Sequence, residues 1–287
     1  MRQKRIVAIH DISCVGRCSL TVALPVISAA GVEVSVIPTA VLSTHTGGFY
    51  GYTYRDLSDD ILPIAGHWQS LGLQFDAFYT GFLGSYRQLD IIAELFERFK
   101  RTDNLMVVDP VMADHGQLYK VYDSSFPIGM RKLCKKADIL VPNITEACLL
   151  TDTPYREGPY GEQFIEELLN KLLELGPGWA VLTGVCFEEG HLGVATCSGK
   201  APRYYFRDKI EGIYHGTGDV FASTLLAALM NGVGMETSAR VAVDFTVECI
   251  GRTKSGGTDP RYGVNFEAGL KGLAERIYRE KDKAKNR

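Results

Sequence analysis

The constraint that weighs most on this chain is an alternation. Short apolar runs are followed repeatedly by longer stretches with apolar residues at helical spacing. Arg5 to Asp11 carries Ile6-Val7-Ala8-Ile9 and ends in polar residues, the pattern of a strand buried on both faces. Ser19 to Ala30 is helical in composition despite Pro25. Glu33 to Ala40, Ala77 to Leu83, Leu105 to Val111, Ile139 to Pro142 and Ala180 to Thr183 read as further strands. Ser85 is placed to cap a helix that puts Leu89, Ile92, Ala93, Phe96 and Phe99 on one side. Gln163 to Leu175 is amphipathic and closed by Gly176-Pro177-Gly178. His191 to Cys197 and Arg203 to Arg207 read as a small β-hairpin excursion. Val220 to Asn231, Thr237 to Thr253 and a stretch from about Phe266 complete the helices.

Strands alternating with helices predict an α/β fold, its mostly parallel central sheet covered on both faces. Ligands of such sheets bind beyond the carboxyl ends of the strands. Polar and glycine residues gather there in this chain: Asp11, Gly81, Asp109, Asn143 and Gly184. Strand ends also meet turns, so the placement alone does not separate a site from a connection. With no internal repeat, low-complexity block or linker, residues 1–287 read as one domain. The charged stretch 281–287 is expected to be frayed.

Composition narrows the function class. The chain has 31 Lys+Arg against 34 Asp+Glu, which lacks the basic excess of a nucleic-acid binder. No run approaches the ~18 apolar residues of a membrane span, and the apolar run after the basic N-terminus is too short for a signal-peptide core. The seven cysteines are odd in number and without CxxC spacing, which reads as reduced thiols in a cytoplasmic protein. Cys14 and Cys18 lack a second Cys/His pair to complete a metal site. Phosphate-loop, dinucleotide, HExxH and GxSxG motifs are absent from the sequence.

The most informative segment is His215-Gly216-Thr217-Gly218-Asp219, followed at once by an apolar helix. Two glycines let the backbone approach a ligand. A helix N-terminus presents unpaired N–H groups and partial positive charge, which suits a phosphate. Asp219 at the same end is placed to take a proton from an alcohol attacking a phosphoryl group. Helix capping is the plainer reading for an Asp there, but a cap does not require two preceding glycines.

Gly216-Thr217-Gly218-Asp219 before an Ala/Ser/Leu-rich helix resembles the signature of the ribokinase superfamily. Ser43-Thr44-His45-Thr46-Gly47, Thr80-Gly81-Phe82-Leu83-Gly84-Ser85, Asp109-Pro110-Val111-Met112 and Pro142-Asn143-Ile144-Thr145-Glu146 occur in that order. Together these segments resemble the pyridoxal/pyridoxamine kinase family, from Ile6 to about Gly251. The resemblance implies a ribokinase-like three-layer α/β/α fold and phosphorylation of the 5′-hydroxymethyl group of a B6 vitamer by ATP. Asp219 would be the general base, and Gly216, Thr217 and Gly218 the anion hole. Asp109 and Glu146 would act on Mg²⁺ and the ATP phosphates through water, with Asn143 fixing that site. Asp114, Tyr119 and Thr183 would lie on the nucleotide side. His45 and Thr46 would contact the pyridine, and Phe82 would pack on its ring. The family also implies a monovalent cation and a homodimer.

The chain departs from that family in two places. Members carry Ser-His at the end of the first strand, whereas this chain has His10-Asp11-Ile12-Ser13. Asp11 and Ser13 are therefore expected in the substrate site, Asp11 accepting from the ring 3-hydroxyl or from an amine. The ring-packing aromatic, often Tyr, is Phe82 here. A hydroxymethylpyrimidine kinase is the alternative enzyme, but it typically carries Cys where Asp219 stands. A non-catalytic binder of the vitamer or nucleotide would not need to keep the base.

Overall fold

The computed structural model describes residues 2–285. In chain order its elements begin with β1 (Arg5–Ser13), α1 (Leu20–Ala29), β2 (Glu33–Leu42), β3 (Tyr54–Asp56), α2 (Ser58–Ser70), β4 (Ala77–Thr80) and α3 (Tyr86–Phe99). They continue with β5 (Leu105–Val108), β6 (Ala113–Asp114), β7 (Gln117–Leu118), α4 (Phe126–Cys134), β8 (Ile139–Leu140), α5 (Ile144–Leu150) and α6 (Glu162–Glu174). The last are β9 (Trp179–Val185), β10 (His191–Cys197), β11 (Arg203–Asp208), α7 (Thr217–Met230), α8 (Met235–Ser255) and α9 (Leu270–Lys285). The chain forms two compact units, one of Met1–Leu57 with Ile210–Arg287 and one of Ser58–Lys209.

The first unit is assembled from both ends of the chain. β1 runs parallel to β2, and β3 adds an antiparallel edge. Ile6 to Ile9 are completely buried, as a run without polar alternation demands. The β1–β2 ladder slips once: His10 faces Pro38 and Ile12 faces Val41. One extra residue of β2 therefore lies opposite Asp11, and such bulges re-aim the side chains beside them. α7 is apolar all round, with every residue from Val220 to Ala228 buried, the composition of a helix enclosed by neighbours. α1 and α8 pack on it. α9 continues through Lys285, so the expected fraying does not occur over 281–285. Lys281 reaches Asn231 Oδ1 at 3.3 Å, and Lys283 pairs with Glu280 at 2.8 Å. Asn286 and Arg287, the rest of that expected tail, lie outside the described residues.

In the second unit the strands run in the order β4-β5-β8-β9-β10-β11. They are parallel as far as β9 and antiparallel at β10 and β11. The hairpin expected over 191–207 is thus the antiparallel end of this sheet. The Ser85 hydroxyl caps α3 by accepting the Gln88 N–H at 3.3 Å. The buried stripe of α3 is Leu89, Ile92, Leu95, Phe96 and Phe99, with Leu95 in place of the expected Ala93. Phe75, Phe78, Phe96 and Phe99 pack their rings 5.2–6.4 Å apart, mostly edge to face, the arrangement aromatic quadrupoles favour. Both units carry the α/β pattern that the alternation predicts. The sequence reading missed α2 and α4, which contain Pro63 and Pro127. It also missed the seven-residue α5 and the short strands β6 and β7.

Candidate active site

In the first unit the site residues meet at the start of α7. Gly216 is its N-cap, with φ 75°. A Cβ there would stand 2.0 Å from the Arg17 carbonyl oxygen, so only glycine fits. The helical ladder begins with the Val220 N–H donating to Gly216 O at 3.0 Å. The N–H groups of Thr217, Gly218 and Asp219 precede that first rung. A Cβ on Gly218 would meet nothing within 4 Å. One glycine is therefore dictated by the backbone, and the other faces open space.

Asp219 does not cap this helix; it is the third residue of the first turn and partly open to solvent. Its carboxylate accepts the main-chain N–H of Ser19. Burial pushes its pKa up to about 7; the Ser19 N–H opposes the rise and the nearby Asp11 adds to it. Asp11 is buried. Its Oδ2 accepts the Ser13 hydroxyl at 3.0 Å, as the period of two along β1 permits. The Ser19 hydroxyl is a second donor to Asp11. Burial raises the Asp11 carboxyl, and the Ser19 and Ser13 hydroxyls and His45 pull it back.

His45 is buried and fixed by two bonds. Gly47 N–H donates to Nδ1 at 3.1 Å, and Nε2 lies 2.5 Å from the Arg261 carbonyl. A carbonyl only accepts, so Nε2 carries the proton and the ring is the neutral Nε2–H tautomer. Burial, the main influence, likewise holds its pKa down. Its ring stands edge-on to Phe49 and 5.2 Å from His215. A Cβ on Gly47 would come within 2.7 Å of His215, so that glycine makes room for the imidazole. Thr46, next to His45, is half-buried.

The second unit holds the other set. Asn143 caps α5 by accepting the Glu146 N–H at 2.9 Å, and Glu146 Oε2 returns the bond to the Asn143 N–H at 2.9 Å. Glu146 Oε1 accepts from Met112 N–H at 3.0 Å, and Ala113 N–H is a further donor. Asn143 Nδ2 donates to Ala113 O at 2.8 Å, and Tyr119 N–H to Met112 O at 2.9 Å. The strand following Asp109-Pro110 is gripped on several sides. Burial drives the Glu146 carboxyl well above its ordinary range despite three main-chain donors, and Asp114 pushes it the same way. Asp109 directly follows β5 and is buried. Asp114 is exposed and opens a tight hairpin whose tip, His115 and Gly116, has φ of 48° and 75°. Positive φ at both positions marks the type I′ turn of two-residue hairpins. Thr183 bridges to Asn143, with its N–H bonded to Pro142 O at 2.9 Å. The Phe82 ring lies 5.9 Å from that of Tyr122.

Among the described residues no group of three or more His, Cys, Asp or Glu side chains could cage a metal. The Glu146 oxygens already accept three N–H groups, leaving lone pairs enough for a water. That donor set suits Mg²⁺, which keeps several waters and takes its remaining ligands from phosphates.

A family model described as phosphomethylpyrimidine kinase matches residues 23–261. A pyridoxal kinase structure from Lactobacillus plantarum superposes with a TM-score of 0.88 at 32% identity, covering 96% of this chain and 98% of that one. The chain belongs to the pyridoxal kinase family of the ribokinase superfamily. A protein of Bacteroides thetaiotaomicron, described provisionally as a phosphomethylpyrimidine kinase and crystallised with pyridoxal, gives a TM-score of 0.89 at 36% identity over 95% and 96% of the two chains. A pyridoxine/pyridoxal/pyridoxamine kinase of Bordetella avium is 25% identical over 87% of this chain and 85% of its own.

Within this kinase, sequence reasoning overlooked Ser19, His215 and Arg261. Ser19 looked like an ordinary first residue of a helix, and no sequence signal announces its backbone conformation. His215 was legible in principle, because it adjoins Gly216. Arg261 enters through its carbonyl, which carries no residue signature. His10, beside Asp11 at the end of the first strand, is completely buried, and burial drops its pKa to about 3. All seven cysteines are free, and no helix among the described residues is long and apolar enough to cross a membrane.

Proposed function

We propose that this chain transfers the γ-phosphoryl group of ATP to the 5′-hydroxymethyl group of a B6 vitamer: pyridoxal, pyridoxamine or pyridoxine. The observation that carries the reading is Asp219, a first-turn carboxylate not spent on capping, raised to about 7 and beside the open approach at Gly218. A base with a pKa near the working pH is in the range where proton transfer is most effective. Asp219 takes the hydroxyl proton as the alcohol oxygen bonds to phosphorus and the bond to ADP breaks. The N–H groups of Thr217, Gly218 and Asp219 hold the transferred phosphoryl oxygens. Asp11, Ser13, His45 and Thr46 orient the pyridine by polar contact, and Phe82 offers an apolar face.

In the second unit Asp109, Asp114, Tyr119, Asn143, Thr183 and Glu146 serve the nucleotide. Asp109 and Glu146 would hold Mg²⁺ through water, and that ion supplies neutralisation of phosphate charge. Asn143 and Glu146 keep the segment after Asp109 in place. On this reading residues 1–287 act as one kinase domain of a cytoplasmic homodimer, with a monovalent cation assisting the nucleotide.

An assay coupled to ADP release, run with each vitamer, tests the proposal. Parent activity with at least one vitamer and near-complete loss in Asp219→Asn are expected. Equal turnover by the two removes the base assignment. The family model's description favours one second reading, phosphorylation of a hydroxymethylpyrimidine. The same assay separates the two by which alcohol gives the higher kcat/KM.

A further inference from the structure

We infer that Ser19 is a positioning residue for the transfer: its main-chain N–H fixes the Asp219 carboxylate while its hydroxyl holds Asp11, coupling the base to a second acid. The inference rests on Asp219 being the base. Ser19 adopts φ 50° and ψ −129°, a region that side-chain-bearing residues enter only at a cost. Starting α1 does not explain that cost. Ser19 is the N-cap and its carbonyl accepts from Val22 and Ala23 at 3.1 and 2.9 Å, yet its hydroxyl makes no cap bond. A serine at this position normally spends its hydroxyl on the first turn. Here the hydroxyl is given to Asp11 and the N–H to Asp219.

The preceding turn prevents Ser19 from relaxing. Arg17 N–H donates to Tyr262 O at 2.8 Å, and Arg17 Nε to Glu267 Oε1 at 2.6 Å. The Arg17 carbonyl is hemmed in by two glycines, whose Cβ atoms would lie 2.0 Å away at Gly216 and 2.4 Å away at Gly263. Strain held this firmly beside an acid is the supporting shell that a reactive group needs.

The ionisable neighbours of the pair come from four segments. β1 contributes Asp11, the turn contributes the Cys18 thiol, the segment after β2 contributes His45, which is held neutral, and β3 contributes the Tyr54 phenol, whose ionisation Asp11 opposes. The buried residues of α1 and those of α7 beyond Asp219 carry no charge. Asp11 is the only other carboxylate acting on Asp219 among these groups. A negative charge on Asp11 opposes ionisation of the base, and the Ser19 hydroxyl pulls the Asp11 carboxyl down against the rise that burial imposes.

The test compares the parent with Asp11→Asn, Ser19→Ala and Ser19→Gly. Two readouts are used: the pH dependence of kcat/KM for ATP and pyridoxal, and the carbon-13 titration of the Asp219 carboxyl. Removing the Asp11 charge should lower the Asp219 titration by about one pH unit. Ser19→Ala should move it the same way by less, with reduced kcat. Ser19→Gly should match Ser19→Ala in titration but melt at a higher temperature, because glycine accepts this backbone freely. An Asp219 titration that stays in place or rises in Asp11→Asn overturns the coupling. So does a Ser19→Ala enzyme that is slower with an unmoved profile. A parent inactive toward every vitamer would defeat the proposed function alone, since the carbon-13 titration reads the coupling without turnover.

Discussion

Two helices of this chain open in the same way and use the result differently. α5 has Asn143 as its cap and Glu146 three residues on; α7 has Gly216 as its cap and Asp219 three residues on. In α5 the acid returns to the cap, each end satisfies the other, and the remaining oxygen holds Met112. This is a capping box. In α7 the cap has no side chain, and the shorter acid takes the Ser19 N–H, from a distant segment, as its donor. The same position in the helix yields a carboxylate tied back to its own cap in one unit and one that is not spent on the cap in the other. The identity of the cap makes the difference.

The sharpest way to break the comparison is to neutralise each acid and watch activity and stability move apart. Asp219→Asn should lower kcat by ~10²–10⁴-fold, the usual contribution of a positioned base. It should also stabilise the fold at alkaline pH. The folded pKa, about 7 against an ordinary 3.8, means that the folded chain holds this proton more tightly than the unfolded one. That stability is present at low pH and lost as pH rises from 3.8 through about 7. The neutral variant escapes the loss. With a discount for the solvent-facing part of the group, the gain at pH ~8 is about 1–3 kcal/mol. Urea unfolding of both proteins at pH ~4 and ~8 checks it; no pH-dependent gap would mean an Asp219 that titrates normally.

Glu146→Ala should have the opposite sign. It strands the N–H groups of Asn143, Met112 and Ala113 in a buried place, at about 2–4 kcal/mol in total. Glu146→Gln keeps a carbonyl oxygen for some of those donors and should lose about half as much. Denaturant midpoints measured at constant m-value decide the point. A Glu146→Ala protein as stable as its parent would show that the box contributes nothing.

Why one acid was legible and the other half-legible is a matter of range. Asn143-x-x-Glu146 is a capping signature visible in the sequence, yet it was read for its chemistry; the structure adds that it is also a cap. The strands were readable because they are continuous apolar runs, and α3 because Ser85 and its stripe are local signals. α2 and α4 were hidden by proline, which lowers helix propensity without forbidding a helix that tertiary packing pays for. The partners of Asp219 were out of reach. Ser19 lies 200 residues away in sequence, an interval that local patterning does not span, and its φ of 50° depends on the enclosure of Arg17 by Gly216 and Gly263. The two glycines of the Gly-Thr-Gly-Asp segment looked equivalent in the sequence, whereas the structure gives them different tasks.

That difference supplies the smaller tests. Gly216→Ala must force a side chain into positive φ against the Arg17 carbonyl. The backbone alone costs about 1–3 kcal/mol, and the collision adds to it, so a lowered melting temperature is expected together with lost turnover. Gly218→Ala meets no neighbour within 4 Å and has ordinary helical backbone. It should therefore gain up to about 0.5–1 kcal/mol from the better helix former. If the transferred phosphoryl group approaches at that open position, the added methyl blocks it, and kcat/KM falls while the melting temperature rises. A Gly218→Ala enzyme that is both more stable and fully active would leave the N-terminus of α7 intact as structure but remove it as the anion hole. The opposite result, a stable protein that folds as the parent does and no longer turns over, can arise only if something must come close to the backbone there.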